Sequence, residues 1–219
     1  MLLLLILIPM LIGIWAQMKI NSAYSRWSKV PSRSGISGAE AAREILRAAG
    51  INDVEIVRVR GKLTDHYNPS TKKLALSAQN YAKTNLAALG VAAHEVGHAI
   101  QDRQGYLPLK FRSALVPITS FSSKLLPFII LGGLFFGMMG LIKLGVIVYL
   151  ILTVFQLLTL PVEFDASRRA RAALSGSGII SESEMDGVEK TLNAAGFTYV
   201  AAFIASLSNL LFFFLLSRD

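Results

Sequence analysis

Long apolar runs alternate with polar stretches along the chain. Of its 219 residues, those at 1–19, 114–161 and 197–216 are mainly apolar, and the polar stretches 20–113 and 162–196 lie between them. A helix of about 20 apolar residues crosses a bilayer, so the outer apolar stretches each predict one membrane-spanning helix and the middle one predicts two. We therefore expect a mainly α, polytopic membrane protein with about four transmembrane helices.

The middle apolar stretch predicts a helical hairpin. Leu125–Ile142 and Leu144–Leu160 are each about one bilayer thickness long. Gly137–Gly140 lie close to Lys143, where we expect a tight turn on the far side of the membrane. A re-entrant pair of helices is the alternative, and the hydropathy pattern does not separate the two.

The first polar stretch predicts a small α+β unit. Ser37–Glu40 has the pattern of a capping box, so a helix should follow it and end at Gly50. The alternation at Val54–Arg60 predicts a strand, and Lys73–Ser77 predicts another strand of the same sheet. A second helix is expected from Thr84 or Asn85 to Arg103.

The second polar stretch predicts two helical pieces. Pro161–Ala170 should continue the helix of the third span, and Ser175–Gly178 should be flexible. Ser181–Glu184 has the pattern of a second capping box, which predicts a helix ending at Gly196 before the last span begins.

Composition and charge fit a membrane protein. The mean hydropathy is +0.51 and the hydrophobic content 53%, both high for a soluble domain. The net charge is +8, and most Lys and Arg residues lie in the two polar stretches. The positive-inside rule therefore predicts that both stretches are cytoplasmic and that the N-terminus is outside. We expect the N-terminal helix to be an uncleaved anchor. Basic residues alternate with acidic ones and form no basic-aromatic stripe, so nucleic acid is not an expected partner.

The chemistry is concentrated in a His-Glu-x-x-His motif. His94 and His98 are four residues apart and lie on one face of the predicted helix, where two imidazoles can bind one divalent ion, most often Zn²⁺. Glu95 can reach a metal-bound water as its general base. The chain has no cysteine, so any further protein ligand should be His, Asp or Glu.

The third ligand has three candidates. Glu163 and Asp165 begin the second polar stretch, and on a helix they point about 200° apart, so only one of them should face the metal. His66 is the alternative. We favour Glu163 as the ligand, and His66 or Tyr67 as a donor to the carbonyl oxygen in the transition state.

Three segments together resemble a known family, the YugP family of bacterial membrane zinc metallopeptidases. They are Thr64–Pro69, His94–Gln101 and Pro161–Ser167. The broader resemblance is to gluzincin membrane proteases of the HtpX and CAAX prenyl protease kind, which implies Glu163 as the third zinc ligand. That broader group has an Asp four residues after the ligand Glu, where this chain has Ser167.

The leading hypothesis is therefore a zinc metalloendopeptidase of the bacterial inner membrane, with a zincin-like cytoplasmic unit that hydrolyses peptide bonds. Its expected partners are the lipid bilayer and peptide or membrane-protein substrates, and the sequence indicates no oligomeric state.

A non-catalytic membrane scaffold with a structural zinc site is one alternative, although such a site needs no Glu95. An intramembrane protease of the site-2 type is another, since Leu86–Ala93 carries no charge. A metal transporter is disfavoured because the spans hold almost no ionisable residues.

Overall fold

The computed structural model describes residues 2–218, which form seven helices and three strands. Four of the helices are long and apolar enough to cross a membrane: α1 (Leu4–Trp27), α5 (Leu107–Phe135), α6 (Met139–Gly176) and α7 (Glu182–Leu216). The prediction of a mainly α, polytopic membrane protein is confirmed. Residue 1, which belongs to the predicted anchor, lies outside the described residues.

The four long helices pack in the order α1–α7–α6–α5. The turn between α5 and α6 is short and is made by residues 136–138, with Gly137 at a φ of +61°. The turn overlaps the predicted one at Gly137–Gly140, but α6 already begins at Met139, so Lys143 lies inside this helix. With its 38 residues, α6 is about 57 Å long, so it extends well beyond the roughly 30 Å of a hydrocarbon core.

The last helix corrects one prediction. The capping box at Ser181 and Glu184 is confirmed, but α7 does not end at Gly196 and runs without a break through the last span. A Cβ at Gly196 would lie 3.2 Å from the Phe164 ring, so this glycine serves the packing of α7 on α6. The segment predicted to be flexible, Ser175–Gly178, begins inside α6, which ends at Gly176.

The α+β unit lies between α1 and α5 in the chain. Its elements are α2 (Gly38–Ala48), β1 (Glu55–Val59), β2 (His66–Asn68), β3 (Lys73–Ser77), α3 (Ala78–Ala82) and α4 (Leu86–Arg103). The capping box of α2 is confirmed, because Ser37 and Glu40 exchange both hydrogen bonds. The sheet order is β1–β3–β2, with β3 parallel to β1 and antiparallel to β2, so β2 is an edge strand.

Helix α4 is the centre of the molecule. Asn85 caps it by accepting a hydrogen bond from the Ala88 N–H, in agreement with the predicted start. It packs on α2, α6 and α7, and most of its residues are buried. A Cβ on Gly97 would lie 2.5 Å from the Ala166 carbonyl oxygen, so only glycine lets the backbones of α4 and α6 approach this closely. This approach places the motif of α4 beside the start of the second polar stretch.

Candidate active site

Helices α4 and α6 bring three potential metal ligands together. His94 Nε2 lies 3.1 Å and His98 Nε2 lies 3.6 Å from the same oxygen, Oε2 of Glu163. One donor atom from each residue lies within 4.8 Å of the others. The two histidines come from adjacent turns of α4, and the carboxylate comes from α6, after the whole of α5 and the first part of α6 have intervened in the chain.

The donor set fits zinc. Zn²⁺ binds imidazole nitrogen and carboxylate oxygen at about 2.0–2.2 Å, so tetrahedral ligand atoms should be about 3.3 Å from one another. The two histidine–glutamate separations, 3.1 and 3.6 Å, bracket that value. A His₂Glu set leaves the fourth position to water or substrate, as catalytic zinc sites require.

A chain of hydrogen bonds fixes the ring of His98. The fully buried Gln101 donates its two amide hydrogens to the Val162 carbonyl at 2.8 Å and to Asp165 Oδ2 at 2.9 Å. Its oxygen, Oε1, therefore accepts from His98 Nδ1, 3.0 Å away. With the proton on Nδ1, the lone pair of Nε2 points toward Glu163 and is available to a metal. Asp165 thus acts on the site through Gln101.

His94 has a different partner. Ser167 Oγ lies 3.2 Å from His94 Nδ1 and can accept a hydrogen bond from its N–H, which again leaves Nε2 for the metal. Ser167 stands four residues after Glu163, so it holds the position at which the broader group has an aspartate. A neutral hydroxyl makes a weaker hydrogen bond than a carboxylate, so His94 receives less charge from its partner than it would from Asp.

Glu95 lies beside the ligands in a low-dielectric position. Only 7% of its surface is exposed. Burial raises the pKa of the Glu95 carboxyl to about 7, with a further increase from the nearby Glu163 charge and a decrease from His94. A general base works best when its pKa lies near the working pH.

Arg112 is a fourth charged group at the site. It lies in the second turn of α5, and its Nη1 is 3.0 Å from Oε1 of Glu163, the oxygen that does not face the histidines. Among the described residues, neither Glu163 Oε1 nor the buried Arg112 Nε has a hydrogen-bond partner. The two groups are therefore held to each other by charge.

The structure places the two predicted transition-state donors differently. His66 is exposed on β2, its Nδ1 lies 2.9 Å from the Thr64 carbonyl, and its ring lines the cavity that contains the ligands. Tyr67 also borders this cavity, but its hydroxyl donates to Asp102 Oδ2 at 2.7 Å. Burial and this hydrogen bond raise the pKa of Tyr67. Neither His66 nor Asp165 belongs to the described ligand cluster.

The ligands and Glu95 line one large cavity of about 860 Å³. Its walls come from α1, α4, α5 and α7 and from the segment that leads into β2 and through it. The volume lies near the upper end of the range for small-molecule sites, and the cavity is not enclosed, so an extended peptide can enter it.

Sequence reasoning missed three residues here. In the sequence, Arg112 resembles any basic residue that flanks a span. The one indication of a role was that the positive-inside rule predicts it on the same side of the membrane as the motif. Gln101 could have been suspected as a polar residue three positions after His98 on the same helix. Tyr199 lines the cavity from within the last span, and nothing in the sequence connects it to the motif.

Comparison with known proteins gives one family and one close relative. Residues 2–218 match the family described as "Putative neutral zinc metallopeptidase". The chain is 44% identical over 211 residues to the "Putative membrane protease YugP" of Bacillus subtilis (strain 168), an alignment that covers 95% of this chain and 94% of the relative. No solved structure matches the chain. The predicted resemblance to the YugP family is therefore confirmed, and this chain belongs to the neutral zinc metallopeptidase family whose model it matches.

Proposed function

We propose that the protein is a zinc-dependent endopeptidase of the bacterial inner membrane that hydrolyses peptide bonds of protein substrates at the cytoplasmic face. The observation that carries the proposal is the convergence of His94, His98 and Glu163 on one point of a large open cavity, with Glu95 beside them. A zinc site that only stabilised the fold would need neither the cavity nor the additional acidic side chain of Glu95.

Each residue has a distinct task. His94, His98 and Glu163 would hold zinc, which supplies polarisation of the scissile carbonyl and a water of lowered pKa when it is bound. Glu95 accepts the proton of the attacking water and delivers it to the nitrogen of the leaving amine. His66 faces the same cavity and is the better placed of the two predicted donors for the carbonyl oxygen as negative charge develops on it.

Strand β2 supplies a binding surface for the substrate backbone. One edge of β2 pairs with β3, and no other strand of the described residues pairs with its second edge. Residues of β2 line the cavity, so a peptide added along this edge would run past the metal ligands. Main-chain hydrogen bonds of this kind bind extended peptides with little sequence preference.

The distribution of charge supports a cytoplasmic site. The two polar stretches that build the site carry most of the Lys and Arg residues, as the positive-inside rule expects of cytoplasmic segments. Helix α4 is not one of the four helices that could span a membrane within residues 2–218, which favours this arrangement over an intramembrane motif of the site-2 type.

The test uses the protein purified in detergent. Wild type and Glu95→Gln are compared for bound zinc and for cleavage of casein, an unfolded protein. We expect Glu95→Gln to retain zinc and to lose activity by a factor of about a hundred or more, since it removes the general base and no ligand. Equal cleavage by the two proteins, or no cleavage by zinc-loaded wild type, would exclude the protease function and leave the scaffold with a structural zinc site.

A further inference from the structure

The cavity is shaped by three long helices that each present one face to it. The cavity-lining residues of each helix recur at helical spacing, as expected for a single face. They are Gln17, Ile20, Asn21 and Tyr24 on α1; Leu109, Arg112, Ser113, Val116 and Pro117 on α5; and Thr191, Leu192, Ala195, Thr198 and Tyr199 on α7. The cavity therefore extends from the metal ligands to those parts of α1, α5 and α7 where the polar stretches meet the apolar ones.

The helix order leaves one side of this region open. Helix α1 packs on α7, α7 on α6 and α6 on α5, but α1 and α5 are not a packed pair among the described residues. Both nevertheless line the same cavity, so they face each other across it. Helices α1 and α5 are the two ends of the packing order α1–α7–α6–α5, so at the level of the membrane a gap between them would face lipid.

The two sides of the gap differ in chemistry. On α5, Val116 is 43% exposed, and Pro117 beside it is also exposed and apolar. On α1, the exposed Gln17 and Asn21 donate and accept one hydrogen bond between their side-chain amides at 3.3 Å. Gln17 and Asn21 lie where the apolar part of α1 gives way to its polar C-terminal part. Their exposed amides, on the cavity face, can bind the peptide groups of a chain that leaves the membrane, since such groups require hydrogen-bond partners.

We propose that the substrate is a membrane-anchored polypeptide that enters sideways from the bilayer, through the gap between α1 and α5. The inference rests on the proposed protease function and adds the substrate class and its route. The apolar anchor stays at the gap, against Val116 and Pro117. The extended segment next to the anchor crosses Gln17 and Asn21 and continues along β2 to Glu95.

The route makes a prediction about anchored and free forms of one sequence. A casein segment that wild type cleaves is prepared alone and fused to a single apolar helix of about 20 residues. Both are offered to the protein in liposomes. We expect kcat/KM to be about tenfold or more higher for the fused form, although confinement to the membrane alone raises the local concentration. Equal values for the two forms would overturn the proposal.

A cross-link across the gap separates the route from simple confinement. The chain has no cysteine, so Ile20→Cys with Val116→Cys introduces the only two thiols, one on each side of the gap. Joining them with a bismaleimide should reduce cleavage of the anchored substrate about tenfold more than cleavage of the free segment. The single-cysteine variants, treated with the same reagent, control for modification of each position.

A second cysteine pair serves as a matched control. Trp15 on α1 and Phe197 on α7 are already packed, with ring centroids 4.8 Å apart, so linking Trp15→Cys to Phe197→Cys leaves the gap open. This link should not change the ratio of anchored to free cleavage. If the Ile20–Val116 link also leaves that ratio unchanged, or lowers both activities equally, the lateral route is wrong. If unlinked wild type cleaves neither substrate, the proposed function itself fails, and the inference with it.

Discussion

Arg112 and Glu163 form an ion pair in which each oxygen of the carboxylate has its own role. Oε1 lies 3.0 Å from Arg112 Nη1, whereas Oε2 faces both histidines. The pair joins α5 to α6 at the metal site. Arg112 therefore leaves one oxygen of Glu163 free to coordinate the metal, and its positive charge compensates the buried carboxylate.

Removing Arg112 should weaken zinc binding. Arg112→Ala leaves Oε1 without its cation, and we expect zinc affinity to fall about tenfold to a hundredfold, as for other residues that orient a ligand. Arg112→Lys keeps the charge and should restore part of the loss. Competition with a chelator measures the affinity. Lys110→Ala, which removes an exposed cation from the same helix, is the control. Unchanged or tighter zinc binding by Arg112→Ala would show that its charge only repels the ion.

Gln101 should be needed to orient His98. Gln101→Met fills a similar volume but cannot accept from His98 Nδ1, so we expect zinc affinity to fall about tenfold or more. Chelator competition is again the measurement. Gln104 is the C-cap residue of α4, and its side chain contacts Arg169, so Gln104→Ala should bind zinc like wild type. Full zinc affinity in Gln101→Met would mean that His98 is held by packing alone.

Gly97 should not tolerate even one added carbon. In Gly97→Ala the new Cβ meets the backbone of Ala166, so α4 and α6 must separate. We expect a loss of about 1–3 kcal/mol in the free energy of unfolding, together with weaker zinc binding. Thermal unfolding with and without zinc measures both. Gly13→Ala in α1 has nothing within 4 Å of its Cβ and should be neutral or stabilising. Equal stability of the two variants would contradict the close approach.

Substitution of His66 and Tyr67 should give different defects. His66→Ala removes a group that faces the cavity, and we expect kcat to fall about a hundredfold with zinc binding intact. Tyr67→Phe removes the hydrogen bond to Asp102 and should cost about 1 kcal/mol of stability while leaving kcat nearly unchanged. Steady-state kinetics and thermal unfolding of both variants separate a loss of kcat from a loss of stability. A large loss of kcat in Tyr67→Phe would reassign the donor role to Tyr67.

The parts of the fold that sequence predicts well depend on local signals. The metal helix begins after Asn85 and ends at Arg103 because a capping side chain and a run of small apolar residues specify it. The capping boxes at Ser37 and Ser181 are equally local. The prediction of a helix end at Gly196 is wrong because the sequence does not distinguish a glycine that allows close helix packing from one that terminates a helix.

The supporting contacts of the site could not be predicted in this way. Gln101 contacts Val162 and Asp165, which are 61 and 64 positions away in the chain, and Ser167 contacts His94 from 73 positions away. These pairings exist only because α4 and α6 cross at Gly97. The motif therefore identifies ligands and base, whereas the packing of helices determines which neighbours hold them.

The position of Glu163 on α6 determines when the metal site can form during synthesis of the chain. A chain still being synthesised contains His94 and His98 well before α6 emerges, and it cannot complete the donor set until the α5–α6 hairpin has entered the membrane and docked on α4. Under the proposed function, a nascent or wrongly inserted molecule would carry only part of its metal site. Insertion and docking of the α5–α6 hairpin are then the steps that complete the active site.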